Sequence, residues 1–363
     1  MQIVEQIKKK IVSGELQPGE ILPKELDYAK EFGVARPTLR NAFDVLEKEG
    51  FIIRKRSAGT VIAPQALHNK HLHADLAIVT KMELTDKSTY IQLFEDTREL
   101  GHVTRVAASK GMMMRFIPLH HESNYYDFEE IILRKGIDGF IISSPMYFTD
   151  FLDKLAEHKI PHVALETHYD RPGINTVMSD DEYSAIELLK QLYECGHRRI
   201  GYCGGTLKAE KFQSSNRRCL NIFLKFCKEY GITVKDHWIQ NTYPNAWRNM
   251  QSDTRELAKE ILKNKNDLPT AVFTPTCGSA KGFWSVAGEQ NIKLPQDISL
   301  VCNHIFESQV LEFGITGYCK KLDQIGQTAF DSLMEWLRNP TYRPHCEKIL
   351  PERIVGKTLL PIK

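Results

Sequence analysis

Apolar residues at the start of the chain recur every fourth position. Ile3, Ile7 and Ile11 in MQIVEQIKKKIVSGEL share one face of a helix. Gly14 and Pro18-Gly19 end it. Pro23 opens a second helix, KELDYAKEFG, and Gly33 closes it. Pro37 suits the first turn of a third, where its missing N–H would be unpaired anyway. Leu39, Phe43 and Leu46 line one face of that helix, and Gly50 stops it. FIIRK and GTVIA then read as short strands around the turn RSAG. The spacing predicts three helices and a hairpin over residues 1–63.

The pattern changes after Ala63. PQALHNKHLH is polar, without a period, and reads as a linker over 64–73. From Ala74 to Lys363, apolar runs such as DLAIVT, IDGFIIS, PHVALE, RIGYCGG, TAVFTP and SLVCN alternate with helix-like segments. That is the spacing of βαβ units, and it predicts α/β lobes built on parallel sheets. Nearly 300 residues of it suit two Rossmann-like lobes.

Charge adds one asymmetry. The net charge is +2, and residues 1–63 hold 11 Lys/Arg against 9 Asp/Glu, so the excess lies wholly there. No apolar run approaches the roughly 18 residues of a membrane span, and the amphipathic start does not read as a signal peptide. The eight cysteines form no CxxC pair and are expected as reduced thiols in a cytosolic protein. Cys195, His197, Cys203 and Cys219 fit no zinc spacing. GYCGG lacks the flanking residues of a phosphate loop. No metal or cofactor is expected.

Two helices joined by a tight turn and followed by a basic hairpin form a winged helix-turn-helix. Arg36, Thr38 and Arg40 cluster at the start of the third helix, within reach of base edges. Arg54, Lys55 and Arg56 on the hairpin suit phosphate or minor-groove contact. A solvated basic hairpin on a small helical domain is the plainer alternative. The blocks QIVEQIKKKIVSGELQPGEILP, ELDYAKEFGVARPTLRNAF and LEKEGFIIRKRSAGTVI closely resemble the gluconate-repressor (GntR) superfamily of bacterial winged-helix regulators. The resemblance implies DNA contacts by Arg36, Thr38 and Arg40 and by the wing around Lys55, Arg56, Gly59 and Thr60. Ala35 and Lys24 stand where that family usually has serines, so phosphate contacts there are expected to differ.

The rest of the chain resembles another family. DDEYSAIELLKQLYECGHRRIGYCGG, LRKGIDGFIISSP, the stretch from Leu268 to Asn303 and DQIGQTAFDSLMEWL are similar to blocks of the lactose/galactose-repressor (LacI/GalR) effector domain. The resemblance implies a two-lobed periplasmic-binding-protein-like fold with a small-molecule cleft. The combination resembles an arabinose-repressor-like architecture.

FTPTCGSAKG aligns with a loop of that family in which an aspartate binds sugar hydroxyls. Here Cys277 takes the aspartate's place, His304 a second acidic position, and Cys319 and Lys320 the polar crossover residues. A cleft arginine is expected at Arg217 or Arg218, and Trp247 and Trp284 are candidates for ring stacking or core. A thiol is a poor substitute for a carboxylate toward sugar hydroxyls. His304, Lys320 and Arg217 or Arg218 therefore favour an acidic sugar derivative; an ordinary sugar and a ligand-free cleft stay open. Cys277 as a nucleophile needs an activating base and an orienting third group. Only His304 offers itself, so no catalytic residue is assigned.

The expected function is a homodimeric bacterial repressor, bound to double-stranded operator DNA and controlled by a small-molecule effector. The alternatives are a DNA-binding regulator with a degenerate, ligand-free sensor domain and a cytosolic small-molecule-binding α/β protein.

Overall fold

The computed structural model describes residues 2–12, 15–55, 59–63, 74–81, 100–119, 131, 136–143, 149–167, 171–206, 215–242, 250–305, 313–339 and 341–362. Arg56, Trp247 and the 64–73 linker lie outside the described residues.

The N-terminal unit follows its periodicity. Helices α1 (Gln2–Val12), α2 (Glu25–Glu31) and α3 (Arg36–Lys48) precede strands β1 (Ile52–Lys55) and β2 (Gly59–Ile62). Ile7, Ile11, Leu39, Phe43, Leu46 and Phe51 share one apolar cluster with Ile52 and Ile62. Each fully buried side chain of this kind stabilises the fold by about 1.5–3 kcal/mol, which gives this small unit a core of its own. The hairpin is antiparallel, with Ile52 opposite Ile62 and Lys55 opposite Gly59. An isolated bridge between Ile21 and Val61 adds a third stretch of chain to it. At the wing, Gly59 has φ +80°, a left-handed conformation that side chains rarely adopt.

The larger part is two six-stranded sheets. The first has the order β13-β7-β6-β5-β3-β4. Its members are β3 (Leu76–Lys81), β4 (Met114–Leu119), β5 (Gly139–Ile142), β6 (His162–Leu165), β7 (Thr176–Ser179) and β13 (Cys346–Ile349). All its pairings are parallel. The second has the order β14-β12-β11-β10-β8-β9. Its members are β8 (Ile200–Thr206), β9 (Ile239–Thr242), β10 (Ala271–Thr274), β11 (Ser299–Ile305), β12 (Thr316–Cys319) and β14 (Glu352–Ile354). There β14 is antiparallel to β12, an exception to the parallel rule of the other pairings. Strands β5, β6, β7, β10, β11 and β12 are buried along their whole length, as strands covered on both faces must be.

The helices are α4 (Thr149–Glu157), α5 (Asp181–Glu194), α6 (Ser215–Glu229), α7 (Met250–Leu262), α8 (Cys277–Glu289) and α9 (Leu322–Arg338), with residues 100–109 also helical. The chain passes between the sheets three times. After β7, α5 buries Ala185, Leu188, Leu189 and Leu192 against Ile200 and Tyr202 of the second sheet. After β12, α9 returns and buries Ile325, Ala329, Phe330 and Leu333 against the first. From β13 the chain then crosses to β14. The crossings bring the carboxyl ends of β6, β7, β10, β11 and β12, where open α/β sheets bind ligands, into one neighbourhood. The fold is a winged helix-turn-helix followed by two Rossmann-like lobes of the periplasmic-binding-protein type.

Candidate functional site

Two regions carry functional side chains. On the first, Arg36, Thr38 and Arg40 are exposed along the opening turns of α3. Ala35 caps this helix without a side-chain hydrogen bond, so no side chain of the cap covers its positive end. Arg36 is aimed by Glu25 of α2, whose Oε2 accepts from its Nε at 3.1 Å. Lys24 is exposed at the cap of α2. Lys55 and Gly59 are exposed on the hairpin, and Thr60 is half-buried, its carbonyl accepting from the Leu22 N–H at 2.8 Å.

Arg54 is placed differently from its neighbour Lys55. Its Nη1 lies 2.6 Å from Asp44 Oδ1 and 3.6 Å from Glu47 Oε2, both on α3. Its Nη2 donates to the Arg40 carbonyl at 3.3 Å, and its backbone N–H donates to Glu47 Oε1 at 3.1 Å. Sequence reasoning overlooked Glu25, Asp44 and Glu47. The three-residue spacing of Asp44 and Glu47 on one helix face was the available signal.

The second region lies where the strand ends meet. Thr276 is the N-cap of α8, its hydroxyl accepting from the Ser279 N–H at 3.4 Å, and Cys277 is the first helical residue. Cys277 is 5% exposed and belongs to an apolar cluster with Ala280, Phe283 and Cys302. Among the described residues, apolar side chains pack with the residue that occupies the expected aspartate position. Trp284 also packs on this cluster and meets Phe313 edge-on, with ring centres 5.6 Å apart. Burial pushes the Cys203 and Cys302 thiols up to about 12, which leaves them protonated and unreactive.

Three basic residues at these strand ends have carboxylate neighbours. His304 Nε2 lies 2.5 Å from Asp181 Oδ1, and Arg218 Nη2 lies 3.6 Å from Asp181 Oδ2. Asn303 donates to the Asp181 carbonyl at 3.2 Å and to Cys219 Sγ at 3.2 Å. Arg217 is half-buried beside Arg218 on α6. Lys320, after β12 of the second sheet, pairs with Glu166, after β6 of the first. Both of these side chains are 12% exposed. The other Glu166 oxygen accepts from the Ser179 N–H at 3.0 Å. Glu166 itself has φ +55°, an uncommon conformation held by these contacts. The expectation of an acidic ligand rested on unbalanced cations at His304, Lys320 and Arg217 or Arg218. Asp181, shared by His304 and Arg218, and Glu166, beside Lys320, place carboxylates of the chain itself next to these groups. No cluster of three or more His, Cys, Asp or Glu suited to a metal occurs among the described residues.

Two family models match separate parts of the chain. The gntR family of bacterial regulatory proteins matches residues 1–62. The periplasmic binding protein-like domain matches residues 189–359. The chain joins a gntR-type DNA-binding regulator domain to a periplasmic-binding-protein-like domain. An arabinose metabolism transcriptional repressor of Geobacillus stearothermophilus is 24% identical over 308 residues, 83% of this chain and 80% of that protein. The transcriptional repressor PurR of Escherichia coli O1:K1 is 25% identical over 347 residues, 92% of this chain and 96% of that protein. Among solved structures, a LacI-type regulator of Bacillus cereus subsp. cytotoxis superposes with a TM-score of 0.66 at 17% identity, covering 80% of this chain and 100% of that one. A LacI-family regulator of Enterococcus faecium with bound ribose gives 0.61 at 16% identity, covering 79% and 100%. These structures share the fold of the two lobes. The relatives are transcription regulators, not enzymes. No described helix is long and apolar enough to cross a membrane.

Proposed function

We propose that this gntR-type regulator is a homodimeric cytoplasmic repressor whose grip on operator DNA responds to a small molecule held between the two lobes. The observation that carries the reading is the exposed row Arg36, Thr38 and Arg40 at an uncapped helix end, beside a hairpin bearing Lys55. Arginine pairs bidentately with guanine in the major groove, and the hairpin suits the backbone next to it. Lys24, Gly59 and Thr60 flank this surface as further contacts. Met113, just before edge strand β4, and Phe116 on it are exposed and offer apolar surface for a second copy.

The effector reading is supported by the meeting of strand ends and by the relatives named above. The carboxylates of Asp181, beside His304 and Arg218, and of Glu166, beside Lys320, favour an uncharged polar ligand, of the sugar class, over an acidic one. An anion there would have to compete with two buried carboxylates. The ligand acts by its differential affinity for two lobe arrangements.

One experiment tests both halves. The full-length chain is titrated with a duplex that it isolates from a random-sequence pool, with and without neutral sugars, sugar acids and sugar phosphates. Sequence-selective binding loosened by a neutral sugar is the expected result. Failure to isolate any duplex removes the regulator reading. Release by sugar phosphates alone removes the uncharged-ligand reading.

A further inference from the structure

A helix that approaches DNA gains nothing electrostatically from carboxylates beside its wing. Yet α3 carries Asp44 and Glu47 there, and both meet Arg54 of β1. The Arg54 side chain is 28% exposed, whereas neighbouring Lys55 is exposed to solvent. Its guanidinium also reaches the carbonyl of Arg40, one of the residues on the reading face.

We propose that Arg54 is a positioning residue that braces the wing against the reading helix, and that Asp44 and Glu47 are its anchors rather than bystanders. The proposal rests on the reading of residues 1–63 as the DNA-contacting domain. A hairpin of two four-residue strands is weakly ordered by itself. Ile52 and Ile62 fix its base in the core. Farther out, the Leu22–Thr60 backbone bond holds β2, and Arg54 holds β1. The brace therefore sets the distance between the wing tip at Lys55 and Gly59 and the α3 turn that carries Arg40. A guanidinium suits this task because its planar fork serves two carboxylates and a carbonyl at once.

The sign of one substitution separates a brace from a phosphate contact. Asp44→Asn removes a negative charge near DNA. If Arg54 contacted phosphate, this change would free it and tighten binding. If Arg54 is a brace, the same change loosens the wing and weakens binding.

The test uses the full-length chain and the duplex that it isolates from a random-sequence pool. Arg54→Ala is expected to weaken binding about tenfold while the slope of log affinity against log salt stays at the parent value. Asp44→Asn is expected to weaken binding several-fold. The double variant is expected to be no weaker than Arg54→Ala, because the two residues act through one contact. Hydroxyl-radical footprints of Arg54→Ala should lose protection on the wing side and keep it where α3 lies. Arg54→Lys, which keeps one ion pair, should recover part of the affinity and part of that protection. Thermal unfolding of the same samples separates loss of fold from loss of placement, and Asp44→Asn keeps the side-chain shape if Arg54→Ala fails to fold. A salt slope shallower by about 0.9 in Arg54→Ala, or tighter binding by Asp44→Asn, overturns the brace. If the parent isolates no duplex, the DNA-reading assignment fails first and the brace goes with it.

Discussion

The N-terminal domain and the strand ends of the two lobes use the same charged groups in opposite ways. On the reading domain, Arg40 and Lys55 stand exposed, while Arg36 and Arg54 are oriented by Glu25 and by Asp44 and Glu47. At the strand ends, His304, Arg218 and Lys320 are largely buried beside the carboxylates of Asp181 and Glu166. Exposed cations are a small cost until DNA arrives, because water solvates them. Buried cations must be balanced at once, because desolvating a charge without a partner costs several kcal/mol. The first surface is built to meet an anion, and the second has met its own.

The comparison breaks most visibly at Asp181. Asp181→Ala leaves His304 and Arg218 without their shared carboxylate in a site that is 4% exposed on the Asp181 side. Stability should fall by about 3–5 kcal/mol, read as a lower urea midpoint. A change below 1 kcal/mol would mean that water already balances the cluster.

Acid should part the two regions next. None of the 13 histidines lies in residues 1–63. In the first lobe, His162 is buried against Trp336, with Nδ1 2.7 Å from the Ile160 carbonyl, and burial holds its pKa at about 4. Burial also lowers His197. The unfolded chain takes up protons on these groups first. Their contribution is therefore complete above about pH 6.5 and falls as pH drops from there toward pH 4. The His162 share amounts to about 3 kcal/mol. Urea midpoints followed from pH 7 to pH 4 should show this slope, and His162→Gln should flatten it.

Smaller effects sharpen the other side. Arg40→Ala should weaken operator binding by about 1–3 kcal/mol and relax preference at one base pair; unchanged selectivity would move base reading elsewhere on α3. Lys55→Ala should weaken all duplexes alike and make the salt slope shallower by about 0.9. An equal salt slope in this variant would take the wing tip out of the interface.

How much was legible follows the same division. The placement of Arg36, Thr38 and Arg40 at the exposed start of α3 was readable because helix starts have local signals, and three residues on one short segment need no distant partner to be placed. Arg54 was legible as a basic wing residue, while its anchoring on Asp44 and Glu47 was not. A sequence of charges does not say which of them turn inward. The cleft was readable as a set of strand-end positions by family resemblance alone, and their chemistry was not. Lys320 meets Glu166 across 154 residues, and Asn303 meets Asp181 across 122. No local pattern carries such a pairing. Cys277 illustrates the cost: its loop position suggested a ligand, and only the fold shows that its side chain is buried in the apolar cluster that also holds Phe283.

The chain by itself determined its elements and its fold class. Period-four and period-two burial, turn glycines and helix-opening prolines act over a few residues, where local sterics and amphipathicity decide. Tertiary structure alone decided the interleaving of the lobes and the partner of each buried charge. The energy of a charge depends on its desolvation and on what lies within a few ångströms, and three crossings of the chain between two sheets set both.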